Sequence, residues 1–218
     1  MSTTAYDQTA KPASLAGALR LFFSQSSPQI LLLVTACCVV ARLVNGQWHY
    51  MDAIITAAIL LFWPVLEWLI HVFMLHYKPI TLFGRQIDFL LPQTHRDHHA
   101  DPWAMQHVFI PLHIFPLVAP LIILGALLIL PSSLALTYLC VFFALALHYE
   151  WCHFLAHIRY CPPLAYYQRR VKLHRLHHFK NESLWWGVSM GAMDSIMGTA
   201  PDPDTVDRTG SARDISGC

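Results

Sequence analysis

The stretch LALTYLCVFFALALHYEWCHFLAHI, residues 134–158, decides the fold class of this chain. A helix of about 20 mostly apolar residues crosses the hydrocarbon core of a bilayer. At about 1.5 Å per residue, a helix over this stretch is longer than a core of about 30 Å, so its last turns extend beyond the membrane. Those turns carry His153 and His157, with Glu150 just before them. The stretch therefore predicts a membrane-spanning helix that brings histidines to the membrane surface.

Three more apolar runs precede this one, at residues 28–44, 53–75 and 110–130. The first is the weakest because it is short and carries Arg42. The composition agrees with a membrane protein. The chain of 218 residues is 56% hydrophobic and only 12% charged, with a mean hydropathy of +0.44, whereas soluble chains are about 25% charged.

The links between the runs, residues 45–52 and 131–133, arrange them as two hairpins. Both links then lie on one side of the membrane. Thirteen of the 14 lysines and arginines lie on the other side, Arg42 being the exception, and the positive-inside rule makes that side cytoplasmic. We therefore predict a multi-pass, all-α integral membrane protein, with four transmembrane helices in two hairpins and a cytosolic helical cap.

Residues 1–27 are predicted to form a polar segment and an interfacial helix, on which Leu15, Leu19 and Phe22 recur at helical spacing. The start of the chain has no charged-then-apolar segment with a small-residue cleavage site, so we expect no cleaved signal peptide. The membrane-embedded domain is predicted to occupy residues 28–200.

Residues 201–218, rich in proline and aspartate, are predicted to be an unstructured tail. The six cysteines include no C-x-x-C pair, which indicates free thiols in a reducing compartment. The net charge of +1 gives no indication of a partner, and we expect no binding of nucleic acid.

Histidine is the outlier in composition, and ten of the 14 histidines fall in four clusters. The clusters are His71 and His76; His95, His98 and His99; His153 and His157; and His174, His177 and His178. Because residues three and four apart share a helix face, each H-x-x-H-H segment presents its histidines together. His71 and His76 are five apart, so an α-helix would separate them by more than a third of a turn. We therefore expect the helix to end or loosen at this pair.

The clusters repeat, because adding 79 to 82 to the positions of the first five gives those of the last five. Such a repeat suits a site where two halves of the chain converge on two metal ions. The alternative is that these are packing residues, and we give that role to His49, His107, His113 and His148. Two H-x-x-H-H matches rarely arise by chance, so we predict metal binding. Imidazole suits iron, zinc, copper and nickel, which leaves the metal open.

Two glutamates stand one helical turn before clustered histidines. Glu67 is four residues before His71, and Glu150 is three before His153. A metal-binding imidazole usually donates its other N–H to such a carboxylate. We therefore predict that both glutamates orient histidines, with Asp97 and Asp194 as weaker candidates for the same role. A glutamate–histidine hydrogen bond without a metal is the alternative.

The four boxes, in this order and on this hairpin plan, resemble the fatty acid hydroxylase / sterol desaturase superfamily, and most of all its fatty acid 2-hydroxylases. The resemblance covers roughly residues 62–201 and includes HFKNESLWWG and MDSIMGTAP after the last box. It implies that all ten clustered histidines bind a dimetal centre. Two features depart from the family. The chain has no fused b-type cytochrome motif, and Glu150 stands where relatives often have Asp.

The resemblance implies an oxidoreductase, a monooxygenase that uses dioxygen and two iron ions, although zinc can replace iron on isolation. It implies a separate electron donor, either a b-type cytochrome or a ferredoxin with its reductase. Basic residues near the last box could dock that donor or bind anionic lipid headgroups. They are Arg159, Arg169, Arg170, Lys172, Arg175 and Lys180.

The substrate is predicted to be a lipid acyl chain, hydroxylated at carbon 2, because metals at headgroup depth would meet the first carbons of an anchored chain. Trp185 and Trp186 are candidates for the wall of the substrate site, or else interfacial anchors. Alternatives within the class are an acyl-lipid desaturase and a sterol or carotenoid hydroxylase. A membrane metal-binding or transport protein is the alternative from another class.

Overall fold

Four helical segments are long and apolar enough to cross a membrane in the computed structural model, which describes Pro12 and residues 14–209. They are Ser26–Asn45, Tyr50–Leu75, Met105–Ile129 and Ser132–Ala156. Each coincides with one of the four apolar runs found in the sequence, and the ends of the span and the run differ by no more than five residues. The predictions of an all-α fold and of an integral membrane protein with four spans are confirmed.

The residue ranges of the helices follow the two hairpins. The first hairpin contains α2 (Ser26–Asn45) and α3 (Tyr50–Leu69), which continues into a π-helical turn at Ile70–Leu75. The second contains α5 (Met105–Val108), a 3-10 turn at Leu112–Ile114, α6 (Phe115–Ile129) and α7 (Ser132–Ala156). The remaining helices are α1 (Leu15–Phe22), α4 (Leu90–Ala100), α8 (Ala165–Phe179) and α9 (Ala192–Met197).

Local signals explain where the first hairpin turns. Gly46 ends α2 with a φ of 65°, the left-handed conformation that a helix C-terminus favours and glycine adopts without strain. His49 then caps α3: its side chain accepts from the backbone N–H of Met51, and Asp52 accepts from the N–H of His49. These caps satisfy helix-end groups that would otherwise lack partners.

Helix α7 is the centre of the bundle and contacts α2, α3, α6 and α8. One apolar cluster joins Leu31 of α2 to Leu139 and Phe143 of α7. A second joins Ile59 and Trp63 of α3 to α7. The outward faces remain apolar, as shown by Leu61 at 77% and Leu128 at 76% exposed. Such a surface matches the lipid environment that the composition predicts.

Arg42 makes three hydrogen bonds inside the bundle. It is 3% exposed, and its guanidinium donates to Asp52 at 2.8 Å, to Thr137 at 2.7 Å and to the carbonyl of Gln47 at 3.0 Å. The ring of Trp48 lies 3.7 Å from the guanidinium carbon. Because Thr137 belongs to α7, the charge that weakened the first apolar run ties the two hairpins together.

Helix α1 packs on the bundle, and of the three apolar residues expected at the membrane interface only Phe22 is buried there. Ala18 and Phe22 are buried, while Leu15 and Leu19 are 49% and 38% exposed. The Phe22 ring lies 5.4 Å from that of Phe154 on α7. Helix α1 is therefore docked on the histidine-bearing end of α7.

A small antiparallel hairpin follows the π-helical turn, with β1 (Ile80–Leu82) paired to β2 (Arg85–Ile87). Beyond α9, a 3-10 turn at Pro203–Thr205 packs back on the end of α8. Thr209 donates its backbone N–H to the carbonyl of Lys180 at 2.9 Å, and the Lys180 ammonium donates to the carbonyl of Pro203. The start of the predicted tail is thus held in place, and residues 210–218 lie outside the described residues.

Among the five cysteines that the structure describes, one differs from the sequence prediction. Cys37, Cys38, Cys140 and Cys152 are free thiols, as expected. Cys161 is in a disulfide. The prediction was wrong there because spacing along the chain does not show which cysteines approach each other in space.

Candidate metal centre

The ten clustered histidines form two groups of five. Site A consists of His71, His76, His95, His99 and His177. Site B consists of His98, His153, His157, His174 and His178. Within each site, one nitrogen from every imidazole lies within 4.8 Å of the corresponding nitrogen of every other. The four sequence clusters therefore meet at two points.

The π-helical turn brings His71 and His76 to one face. The backbone N–H of His76 donates to the carbonyl of His71, five residues earlier, at 3.2 Å. Their ring centroids are 5.2 Å apart. Residues five apart diverge on an α-helix but align when the turn is widened by one residue, and such turns often occur at functional sites. The expectation that the helix loosens at this pair is confirmed.

The second pair reaches the same arrangement without a π turn. His153 and His157 are four apart, which suits the last turn of the α-helix α7. His157 ends α7 with φ −107° and ψ 14°, and His76 ends the π turn with φ −90° and ψ 15°. The two halves of the chain thus end their histidine-bearing helices in nearly the same backbone conformation.

Helices α4 and α8 each serve both sites. His95 and His99 of α4 belong to site A, and His98 belongs to site B. On α8 the pattern is reciprocal, with His174 and His178 in site B and His177 in site A. On a helix, residues i and i+4 lie about 40° apart, whereas i+3 is rotated about 60° the other way. Each site takes four histidines from one half of the chain. The middle histidine of each H-x-x-H-H segment therefore points to the site that the other half mainly forms.

Distances between imidazoles fit shared metal ions. In site A, His95 Nε2 lies 3.1 Å from Nε2 of both His76 and His99. In site B, the Nε2 atoms of His98 and His153 are 3.1 Å apart, and those of His174 and His178 are 3.0 Å apart. Two nitrogens bound to one metal at about 2.1 Å and at right angles would be about 3.0 Å apart.

Backbone carbonyls set the orientation of three imidazoles. His71 Nδ1 donates to the carbonyl of Trp186 at 2.6 Å, and His153 Nδ1 donates to that of Val108 at 2.6 Å. His177 Nδ1 donates to the carbonyl of Leu184 at 2.8 Å. A carbonyl only accepts, so the proton resides on Nδ1 and the Nε2 lone pair faces the site.

Two of the nitrogens left facing site A lack any hydrogen-bond partner among the described residues. They are Nε2 of His71 and Nε2 of His177, and both atoms are buried. Buried nitrogens of this kind almost always have a partner in folded proteins. A metal ion accepts such lone pairs, so the donor set fits a metal at this position.

Burial keeps these imidazoles neutral. The pKa of His76 is lowered to about 3, first by burial and then by the neighbouring His71. Burial, together with neighbouring imidazoles, lowers the pKa of six other histidines well below its usual range. They are His95, His98, His99, His174, His177 and His178. Neutral imidazole is the form that binds metals, so both sites could hold metal ions near neutral pH.

The glutamates do not contact the histidines that they were predicted to orient. Glu67 accepts from the backbone N–H of Ser189 at 2.7 Å and from its hydroxyl at 2.5 Å. Glu150 accepts from the Ser27 hydroxyl at 2.5 Å and from the N–H of Ile110 at 2.8 Å. The prediction of direct glutamate–histidine hydrogen bonds is wrong, because backbone carbonyls occupy those positions.

The carboxylates instead bind the backbone segments whose carbonyls orient the histidines. Glu150 holds Ile110, two residues after Val108. Asp194 accepts from the N–H groups of Trp186 at 3.0 Å and Gly187 at 2.7 Å. A Cβ on Gly187 would lie 2.9 Å from the Asp194 carboxylate and 2.4 Å from a backbone carbonyl, so only glycine fits there. Asp97 is exposed, and its side chain makes no such contact with the residues that the structure describes.

The two tryptophans have different surroundings. The Trp186 ring packs on site A, with centroids 4.7 Å from His76, 5.1 Å from His177 and 5.3 Å from His71. Trp185 is 1% exposed, and its indole N–H donates to the carbonyl of Pro201 at 3.3 Å. Both are buried inside the protein, in contrast to the membrane-anchoring alternative.

Several contributors to the site were not predicted from the sequence. The orienting groups of Val108, Leu184 and Trp186 are backbone carbonyls, which leave no trace in the sequence. Glu182 was also passed over, and its carboxylate lies 3.8 Å from His99 Nδ1. The four histidines assigned to packing, His49, His107, His113 and His148, belong to neither site.

The four spans and the two five-histidine sites define an integral membrane protein whose cap can hold metal ions. The chain belongs to the fatty acid hydroxylase family, whose sequence model matches residues 56–199.

Named relatives agree with this membership. "Ceramide very long chain fatty acid hydroxylase SCS7" of Saccharomyces cerevisiae is 27% identical over 154 residues, and the match covers 65% of this chain and 36% of that protein. "Dihydroceramide fatty acyl 2-hydroxylase FAH2" of Arabidopsis thaliana is 26% identical over 174 residues, covering 80% and 72%. The match thus spans just over a third of the yeast relative's length.

The fold is also that of a solved structure, described as full-length scs7p with only the hydroxylase domain visible. The TM-score is 0.69 at 22% sequence identity, and the superposition covers 84% of this chain and 68% of that one.

Proposed function

We propose that this chain is a membrane-bound dimetal oxygenase that hydroxylates a lipid acyl chain, at carbon 2. The observation that carries the proposal is the convergence of ten imidazoles into two sites of five at the end of the membrane spans. The family membership and the relatives' names, a fatty acid hydroxylase and a fatty acyl 2-hydroxylase, support the same activity.

The ten histidines would hold two metal ions, one per site, and we propose iron. Iron bound there supplies the redox chemistry with dioxygen and with two electrons from a separate b-type cytochrome or ferredoxin and its reductase. The chain's own residues prepare the site. The carbonyls of Trp186, Val108 and Leu184 hold three imidazoles with Nε2 facing inward, and Asp194, Glu67 and Glu150 hold the segments around them.

Site A is the more accessible of the two. His76 and His99 are half-buried, whereas all five histidines of site B are buried. The Trp186 ring packs against three imidazoles of site A, with its plane tilted or perpendicular to theirs. We propose that the acyl chain approaches from this side, with Trp186 and the adjoining Trp185 forming the wall of its site. An apolar wall positions the chain and keeps water away from the metals.

The depth of the sites supports attack near the lipid head. His71 and His153 lie in the last turns of their spans, and the other eight histidines of the two sites lie outside the spans. An acyl lipid anchored by its polar head would therefore offer its first carbons. The excess of lysine and arginine on this side of the hairpins supports a position at the cytosolic face. Transporters, in contrast, bind their substrates near the bilayer midplane.

The test is mass spectrometry of hydrolysed lipids from cells that express the protein under labelled dioxygen. We expect a labelled hydroxyl group at carbon 2, and about two iron ions per purified chain. The matched control is His98→Ala, which removes one ligand of site B. An unlabelled mid-chain alkene would indicate a desaturase, and a hydroxylated ring lipid a sterol or carotenoid hydroxylase. Full activity with zinc alone would contradict the oxygenase mechanism.

A further inference from the structure

A pocket of about 570 Å³ lies between the start of α8 and α9, apart from the two histidine sites. Its lining includes Tyr166, Arg169 and Arg170 from α8, and Ser189, Gly191 and Ser195 from the facing segment. The Tyr166 hydroxyl donates to the carbonyl of Ser189 at 2.7 Å, which holds the two walls together. The pocket therefore has a defined shape and two cationic side chains.

Arg170 is the unusual member of this lining. It is only 6% exposed, and its Nη1 atom is buried without a hydrogen-bond partner among the described residues. Nor does its guanidinium form an ion pair with any carboxylate in residues 14–209. The carboxylate of Glu67 on α3 acts on this guanidinium only from beyond ion-pair distance, and it is engaged by Ser189. A buried, unpaired guanidinium is costly, so it indicates a ligand that supplies the missing negative charge.

Gly191 makes room for the guanidinium. A Cβ at this position would lie 2.5 Å from Arg170 Nη1 and 3.2 Å from Nη2. The backbone of Gly191 has a φ of −100°, which any residue adopts, so close approach and not conformation requires glycine here. The neighbouring Arg169, also on the pocket wall, adds a second positive charge.

Exposed apolar side chains flank the pocket outside the membrane spans. Leu164, which precedes the lining residue Ala165, is 61% exposed. Ile196 and Met197, which follow Ser195, are 73% and 51% exposed. A site for a soluble anion needs no such border. A cationic pocket bordered by apolar side chains matches a molecule with an anionic head and an acyl chain.

We propose that this pocket binds the phosphate headgroup of an anionic membrane lipid, with Arg170 as its main ligand and Arg169 as a second. The lipid's acyl chains would lie against Leu164, Ile196 and Met197. Arginine pairs well with phosphate because its planar guanidinium can donate two parallel hydrogen bonds. The inference is independent of the proposed oxidation, since it concerns binding at residues that are not part of site A or site B.

The test measures lipid binding to the full chain, purified in a neutral detergent, by native mass spectrometry. Phosphatidylglycerol is compared with diacylglycerol of the same acyl chains and with inorganic phosphate. We expect Arg170→Gln to weaken phosphatidylglycerol binding by about tenfold or more, the effect of losing a hydrogen-bonded charge. Lys172→Gln removes a charge from the same helix at an exposed position outside the pocket and should leave binding unchanged.

The thermal unfolding midpoint provides a second readout. Without added lipid, Arg170→Gln should unfold at the same or a higher temperature than the unsubstituted chain, because it removes an unpaired buried charge. If that variant does not fold, Gly191→Ala tests the proposal instead. Its Cβ must displace the Arg170 guanidinium, so we expect phosphatidylglycerol to bind more weakly. Equal binding of diacylglycerol and phosphatidylglycerol would overturn the proposal. Equal affinity for inorganic phosphate and phosphatidylglycerol would overturn the assignment to a lipid.

Discussion

Neighbouring histidines on one helix serve different metal sites. His98 lies on α4 beside two ligands of site A but belongs to site B, and His177 on α8 is its counterpart. We expect His98→Ala, His153→Ala and His177→Ala each to reduce lipid hydroxylation to background. Metal analysis should show less metal bound at site B in the first two variants and less metal bound at site A in the third.

His49→Ala is the matched control for these variants. His49 caps α3 at the opposite end of the span and is exposed, so we expect product formation to be unchanged. Because His98 and His153 serve one site, the double variant should lose no more metal than either single variant. Activity retained in two of the three histidine variants would contradict a shared centre.

Asp194 has a role that only its contacts disclose. It holds the Trp186–Gly187 backbone, and the Trp186 carbonyl in turn orients His71. In Asp194→Asn an amide N–H₂ group would face one of the two backbone N–H donors. We expect the metal affinity of site A to fall about 10–100-fold, as for other groups that support metal ligands.

Glu67→Gln should have the same direction of effect, because Glu67 holds Ser189 and Met190 close to the same segment. Titration with a chelator, monitored by metal content, measures the loss. Asp97→Asn, at an exposed position on α4, serves as the control. Loss of metal from site B but not from site A would contradict this role for the two carboxylates.

At the scale of one element, the π-helical turn Ile70–Leu75 compensates for one extra residue in the first half of the chain. The pair His71 and His76 has a spacing of five, whereas His153 and His157 have a spacing of four. Deleting Phe73, which is 60% exposed, should convert the turn to an α-helix with both histidines on one face. We expect this variant to retain two metal ions per chain.

Inserting an alanine after Phe73 provides the contrasting variant. A spacing of six rotates His76 by about 240° from His71 on an α-helix, so His76 would leave site A. We expect the metal content to fall towards one ion per chain, with site B intact. If deletion and insertion were equally harmful, the π turn itself, and not the shared face, would be what site A requires.

At the scale of the whole molecule, the buried cluster around Arg42 joins the two hairpins. Arg42 on α2 donates to Thr137 on α7 and to Asp52 on α3. Removing one partner of a buried ion pair leaves the other without compensation, so Arg42→Ala should lower the free energy of unfolding by about 3 kcal/mol.

Arg96→Ala is the matched control, because Arg96 and Asp88 form an ion pair with side chains that are 38% and 32% exposed. We expect its effect to stay below about 1 kcal/mol. Denaturant unfolding in detergent measures both changes. Equal effects of the two substitutions would show that the Arg42 cluster does not hold the hairpins together.

The sequence by itself determined the features that depend on local periodicity. The four apolar runs coincide with the four spans to within a few residues, because the length needed to cross a bilayer is a property of a single helix. The grouping of ten histidines and the loosening at His71 and His76 followed from helical spacing alone. These are short-range properties, and residue types report them directly.

Only the tertiary structure decided how the histidines divide between the sites and what orients them. The exchange of His98 and His177 depends on how α4 and α8 lie against the ends of α3 and α7. The orienting partners are backbone carbonyls, which every residue possesses, so no residue type signals them. The glutamates one turn before His71 and His153 were therefore assigned to the wrong partners. Their carboxylates instead meet N–H groups from segments distant along the chain.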